Sequence, residues 1–188
     1  VENTRARMRE GMRRVVLVAP TAFGKTECAA WIIEQSRGKG ARAWFIVDRI
    51  NLVDQTSQRF AQYGIDHGVI QADHWLTDPK KPIQIVSAQT LGSRNIDNLP
   101  ELPDLIVVDE AHCQYQAVVD LVERAKMAKV IGLTATPFTA GMAENWDELV
   151  NGATVNRLLA ERFLTPLKIK ACVTPDMKGA KKKFTGEY

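Results

Sequence analysis

The chain has 188 residues and a formal net charge of +3, with 45% apolar and 25% charged side chains. That composition belongs to a globular domain with a real core and excludes disorder as the overall state, and the length suits one domain with a short extension rather than two complete catalytic lobes. The longest clean apolar stretch, Val15 to Ala19, is far short of the ~20 residues needed to cross a bilayer, so no membrane association is expected.

In chain order, Val1–Met12 reads as a helix, and an opening at Val1 leads to the expectation of a piece of a longer protein. Residues 1–14 carry five Arg against two Glu, residues 168–188 carry six Lys against two acids, and the remainder is net negative by four. Basic ends of this kind meet phosphates or form a solvated helix face and a tail, and the second is the plainer reading. Val15–Val18, Ala43–Val47, Ile83–Val86, Leu105–Val108 and Val130–Leu133 are apolar at consecutive positions, as in strands covered on both faces. Between them, Thr26–Gln35, Leu52–Tyr63 and Gln116–Ala128 repeat apolar residues at helical spacing, for example Val118, Leu121, Val122 and Ala125. Alternation of this kind predicts an α/β fold, a mostly parallel central sheet with helices on both faces. Pro100 and Pro103 bracket a turn, Pro137 ends the segment after the fifth run, Asn156–Arg162 reads as a helix and Leu167–Val173 as a strand, with a linker beyond Pro175.

Cys28, Cys113 and Cys172 are odd in number and far apart, which argues against a disulfide framework or a zinc site and for a reducing cytoplasm. His67, His74 and His112 stand too far apart to read as a ligand cluster. Cys113 is read as buried packing, Trp31 and Trp44 as core or groove residues, and Trp75 and Trp146 as loop aromatics that pin a loop or stack on a base.

Two stretches carry chemistry. Ala19-Pro20-Thr21-Ala22-Phe23-Gly24-Lys25-Thr26 follows the first strand and opens a helix, where backbone N–H groups and the helix N-terminus surround an anion. Lys25 is then placed for the β and γ phosphates of a nucleotide and Thr26 for its Mg²⁺. Ala19 stands where the usual pattern has Gly, and alanine restricts backbone angles that glycine allows. Asp109 and Glu110 directly follow the fourth apolar run. In a parallel sheet both stretches leave carboxyl ends of strands, so they can converge, Asp109 on the metal and Glu110 on an attacking water. Thr134 and Thr136 follow the fifth run within reach of His112 or Glu110, for coupling or for capping a turn.

Taken in order, these stretches with Val47-Asp48-Arg49, Gln55 and Ser87-Ala88-Gln89-Thr90-Leu91 make residues 12–138 resemble the first RecA-like lobe of superfamily 2 DEAD/DEAH-box helicases. The branch it is most similar to holds type III restriction-enzyme helicase subunits and related DNA-repair or phage helicases. The resemblance implies an ATP- and Mg²⁺-dependent motor on nucleic acid, DNA more than RNA, with Lys25, Asp109 and Glu110 catalytic and residues 20–26 holding the nucleotide. It further implies that His112, Thr134 and Thr136 couple hydrolysis to movement, and that Arg49, Gln55, Ser87, Gln89 and Thr90 face the bound strand. Residues 1–165 would form the lobe and 166–188 a connection toward a second RecA-like lobe, since Leu158–Pro166 looks like that connection. The Gln that commonly reads adenine upstream of the loop has no counterpart before Ala19. Two other readings stay open from the residues alone: a non-hydrolysing nucleotide or nucleic-acid binding module, and a P-loop phosphotransferase acting on a small molecule.

Overall fold

The computed structural model describes residues 1–21, 23–71, 74–94 and 101–166. Ala22, Pro100, the expected strand Leu167–Val173 and the lysine-rich tail lie outside the described residues.

Strands β1 (Arg14–Val18), β2 (Ala43–Val47), β3 (Gly68–Ile70), β4 (Ile83–Ser87), β5 (Leu105–Val108), β6 (Lys129–Thr134) and β7 (Glu148–Asn151) form one sheet. Its order is β3-β4-β2-β5-β6-β1-β7, and every neighbouring pair is parallel. The five consecutive apolar runs are strands as expected; among the described residues β3 and β7 are additional and sit at the two edges.

Because side chains alternate along a strand, the same strands feed two cores. Val15, Leu17, Phe45, Val47 and Val107 meet Ile33 of α2 (Lys25–Arg37) and Phe60 of α3 (Ile50–Gln62) on one face, with Met8 of α1 (Glu2–Arg9) at its margin. Trp44, Ile46, Ile106 and Val108 meet Leu91 of α4 (Ala88–Ser93) and Leu121 of α5 (Gln116–Arg124) on the other. Two short helices, α6 (Met142–Asn145) and α7 (Val155–Ala160), flank β7. Each fully buried Leu, Ile or Phe contributes roughly 1.5–3 kcal/mol, so the two sheet faces hold the fold and leave the strand-end loops able to carry strain.

Helix ends differ from the sequence pattern by a few residues. The helix expected to reach Ala128 stops at Arg124, where the chain turns to deliver Lys129 to the sheet. Most of the N-terminal arginines have partners inside the domain. Arg5 lies over the Trp31 ring at 4.5 Å, Arg13 donates to the carbonyls of Val122, Ala125 and Ala128, and Arg14 pairs with Asp147 and Glu123. Trp44 is fully buried in the core, whereas Trp31 is half exposed. Among the described residues no helix is long and apolar enough to cross a membrane.

Candidate nucleotide site

β1 and β5 are separated only by β6, so their carboxyl ends lie about 10 Å apart, two strand spacings. The 19–26 loop leaves β1 and Asp109 leaves β5 on the same edge, with Val18 opposite Thr134 and Val108 opposite Gly132 in register. A cleft there is lined by Gly24, Lys25, Thr26, Glu27, Arg59, Asp109 and Glu110. The two stretches therefore meet, as the sequence order implied.

Gly24 caps α2 with φ +84°, a left-handed conformation in which an L side chain is strained. The first bond of the helix runs from Cys28 N–H to Gly24 O at 2.9 Å, and no side chain caps this end. The N–H groups of Lys25, Thr26 and Glu27 thus point outward with the positive end of a thirteen-residue helix, a donor set that fits phosphate. Among the described residues the Lys25 ammonium has no hydrogen bond or ion pair, and its charge acts on Asp109. Ala19 extends β1 through Ala19 N–H to Thr134 O at 2.9 Å and has no positive φ, so alanine replaces glycine there without strain.

Asp109 continues the ladder, donating its N–H to Ile46 O at 2.8 Å, and its carboxylate accepts from Glu110 N–H at 3.0 Å. Burial raises its pKa above 3.8 and the Glu110 charge adds to this, while the Glu110 N–H and Lys25 oppose both. The cleft therefore favours a cation beside Asp109, and Thr26 lines the same space. An oxygen donor pair of this kind fits Mg²⁺, which takes few protein ligands beside phosphate oxygens. Glu110 adopts φ +46°, uncommon for a residue with a side chain, and caps the 3-10 turn Ala111–Cys113.

The expected coupling residues form a connected set. His112 Nδ1 lies 3.0 Å from Thr134 Oγ1 and 3.4 Å from Glu110 Oε2, and Thr134 Oγ1 accepts from Thr136 N–H at 3.1 Å. Thr134 is fully buried. On the far side of the turn, Gln114 donates to Ala140 O at 2.7 Å and accepts from Asn145 Nδ2 at 2.9 Å. Gln114 ties the turn to the segment after β6, a role the sequence did not disclose. Cys113, expected in buried packing, is exposed, because it ends a 3-10 turn by which the chain has left the sheet. Trp146 packs at the margin of the second core against Gly132, and Trp75 is exposed and stacked on His74.

Arg49, at the N-cap of α3, is exposed and pairs with Asp48 at 3.2 Å. Gln89, also exposed, accepts from Ile50 N–H at 3.4 Å, which places it beside Arg49 on the carboxyl edge. Ser87 and Thr90 are buried instead: Ser87 Oγ accepts from Thr90 N–H at 3.0 Å and lies 2.9 Å from Thr90 Oγ1, capping α4. Their hydroxyls present Gln89 rather than the surface itself. Gln55 is exposed on α3. Asp48, not singled out by sequence reasoning, accepts from the Tyr115 hydroxyl, and this bond, then burial, pushes the Tyr115 pKa up to about 12.

A second cleft borders the loop on the β7 side, lined by Phe23, Gly152, Ala153, Arg157, Leu158, Glu161 and Phe163.

Solved structures show the fold. LlaGI, a Type ISP restriction-modification enzyme solved as a nuclease-deletion mutant with a DNA substrate mimic, superposes with a TM-score of 0.66 at 18% identity, over 86% of this chain and 20% of that one. The UvsW helicase of bacteriophage T4 superposes with a TM-score of 0.63 at 16% identity, over 74% of this chain and 54% of that one. The fold is thus a RecA-like lobe, as in these two proteins. The model of the family "Type III restriction enzyme, res subunit" matches residues 1–139, and the chain belongs to that family. It is also 29% identical over 187 residues, 90% of the chain, to the Type I restriction enzyme EcoAI endonuclease subunit of Escherichia coli. The chain spans 23% of that subunit's length and 36% of a second relative's, a 51.5 kDa protein of Lactococcus phage (isolate 7-9).

Proposed function

We propose that this chain is the N-terminal motor lobe of an ATP-dependent helicase or translocase that moves on nucleic acid, with DNA as the track. The observation that carries the reading is the cleft shared by Lys25, Thr26, Asp109 and Glu110. Lys25 and the first-turn N–H groups of α2 hold the triphosphate, and Glu110 orients a water and takes its proton. Thr26 and Asp109 would hold Mg²⁺, which would supply positive charge against the phosphate oxygens. The base lies beyond Phe23 in the cleft with Arg157 and Phe163, whose ring and guanidinium offer stacking surfaces. His112, Thr134 and Thr136 couple the state of Glu110 to the neighbouring lobe, and Arg49 and Gln89 contact the strand's phosphates.

DNA is favoured because a relative of the same fold, LlaGI, was solved with a DNA substrate mimic, and the Sulfolobus solfataricus SWI2/SNF2 ATPase core was solved with dsDNA. Residues 1–165 form the lobe and 166–188 lead toward a second lobe in the whole protein. Arginines supplied from outside the nucleotide lobe are worth ~10³–10⁵ in rate, so this chain alone hydrolyses ATP very slowly. The test is ATPase activity of the full-length protein over a panel of single- and double-stranded DNA and RNA, with Glu110→Gln as control. Stimulation by DNA, lost in the variant while ATP binding persists, is expected. Activity indifferent to every nucleic acid would replace this reading with a small-molecule phosphotransferase.

A further inference from the structure

The cleft holds a second cation besides Lys25. Arg59 comes from α3, yet its side chain lines the same space as Lys25, Asp109 and Glu110. Its guanidinium is held by Glu27, whose Oε1 also accepts from the Tyr63 hydroxyl at 3.3 Å. The other carboxylate oxygen of Glu27 folds back over the loop, 3.2 Å from where a Cβ on Gly24 would stand. A carboxylate therefore lies beside Gly24 at the helix start that lines the cleft, and an arginine is paired with it.

The charges facing the cleft make this arrangement matter. Lys25 and Arg59 are cationic, while Glu27, Asp109 and Glu110 are anionic, so the carboxylates outnumber the cations before any triphosphate enters. Both members of the Glu27–Arg59 pair are about half exposed, at 43% and 52%, so the pair can separate into water at small cost. Guanidinium matches phosphate oxygens with two parallel N–H donors, a better partner than a solvated carboxylate already shared with a tyrosine.

We propose that Arg59 is a phosphate ligand supplied by this same lobe and held in reserve by Glu27: on triphosphate entry Arg59 transfers from Glu27 to a phosphate oxygen, and the Glu27 carboxylate swings out to solvent. The inference rests on the cleft being the triphosphate site. It makes Glu27 a competitor of the ligand and Arg59 a contributor, so substituting either breaks the same ion pair with opposite consequences. A simple brace between α2 and α3 would move affinity the same way in both variants.

The experiment is calorimetric titration of the chain with tripolyphosphate and with ATP, each with Mg²⁺, for the unsubstituted chain, Glu27→Gln, Arg59→Ala and Arg59→Lys. Glu27→Gln should tighten both ligands about fivefold and Arg59→Ala weaken both about fivefold, the scale of a partly solvated ion pair. Arg59→Lys should fall between, and the affinity of Arg59→Ala for tripolyphosphate should depend less on salt. Thermal unfolding of the variants separates a folding defect from a binding one, since both residues are surface-exposed. Unchanged affinities, or changes in one direction for both variants, overturn the role of Arg59 while leaving the cleft intact. Failure of the unsubstituted chain to bind either ligand overturns the reading of the cleft and this inference with it.

Discussion

Substituting Gly132 by alanine tests how the acidic turn is held. Gly132 lies in β6, paired with Val16 and Val108, and an added Cβ would stand 2.7 Å from the Ala111 Cβ and 2.7 Å from Trp146 Cη2. Carbon atoms rest at about 3.5–4.0 Å, so each neighbour must retreat by about 1 Å. Val108 is fixed by the ladder, which leaves the turn that begins at Glu110 and Ala111 to give way. Overpacking of this kind costs about 1–3 kcal/mol, and at about 2–4 °C per kcal/mol for a chain of this size the melting temperature should fall by about 2–12 °C. A displacement of about 1 Å at Glu110 should cost on the order of 10²-fold in single-turnover ATP hydrolysis by the full-length protein, with ATP affinity unchanged because α2 is not touched. Adding Ala111→Gly removes one of the two clashes and should restore part of both losses. A Gly132→Ala protein with the original melting temperature and turnover, or one that Ala111→Gly does not improve, would refute the reasoning.

Three further outcomes are expected. Phe163→Ala, at a residue 75% exposed and so free of folding cost, should weaken ATP several-fold without changing tripolyphosphate binding, read by calorimetry. Tyr115 should titrate at about 12 rather than 10.0 by ultraviolet difference spectroscopy and return toward 10.0 in Asp48→Asn; its bond to Asp48 is complete below the ordinary value and is lost as pH rises through the raised one. Burial pushes the Asp147 carboxyl upward, but the N–H groups of Arg14 and Arg13 and the Arg14 guanidinium outweigh it and hold the carboxyl below 3.8. Its stabilisation is therefore full above about pH 4 and disappears as pH falls through the depressed value, so acid unfolding of Asp147→Asn should be flatter than that of the unsubstituted chain.

Five of the seven strands were legible because each is a consecutive apolar run covered on both faces, Trp44 and Phe45 facing opposite cores. The other two are edge strands. Gly68–Ile70 is three residues long, and Glu148–Asn151 buries only Val150, so neither makes an apolar run. The meeting of Lys25 with Asp109 and Glu110 was legible because Lys25 opens the helix after β1 and the two acids directly follow β5, and in a parallel sheet both stretches lie at the carboxyl edge. Pairs made by packing left no local trace: Glu27 meets Arg59 across 32 residues and Asp48 meets Tyr115 across 67. The hydroxyls of Ser87 and Thr90 look alike in sequence whether they serve a helix start or face a ligand, and here Ser87 caps α4 and Thr90 bonds to it. Cys113 follows a buried strand closely in sequence, yet it lies past the point where the chain leaves the sheet and is exposed.

The central claim is that the 19–26 loop and the Asp109–Glu110 turn form one triphosphate–metal site. A crystal structure of the chain with Mg²⁺ and a non-hydrolysable ATP analogue tests it most directly. The account predicts the terminal phosphates against Lys25 and the first-turn N–H groups of α2, with the ion between Thr26 and Asp109. Phosphates seated away from that helix end, or an ion that touches neither residue, would contradict it.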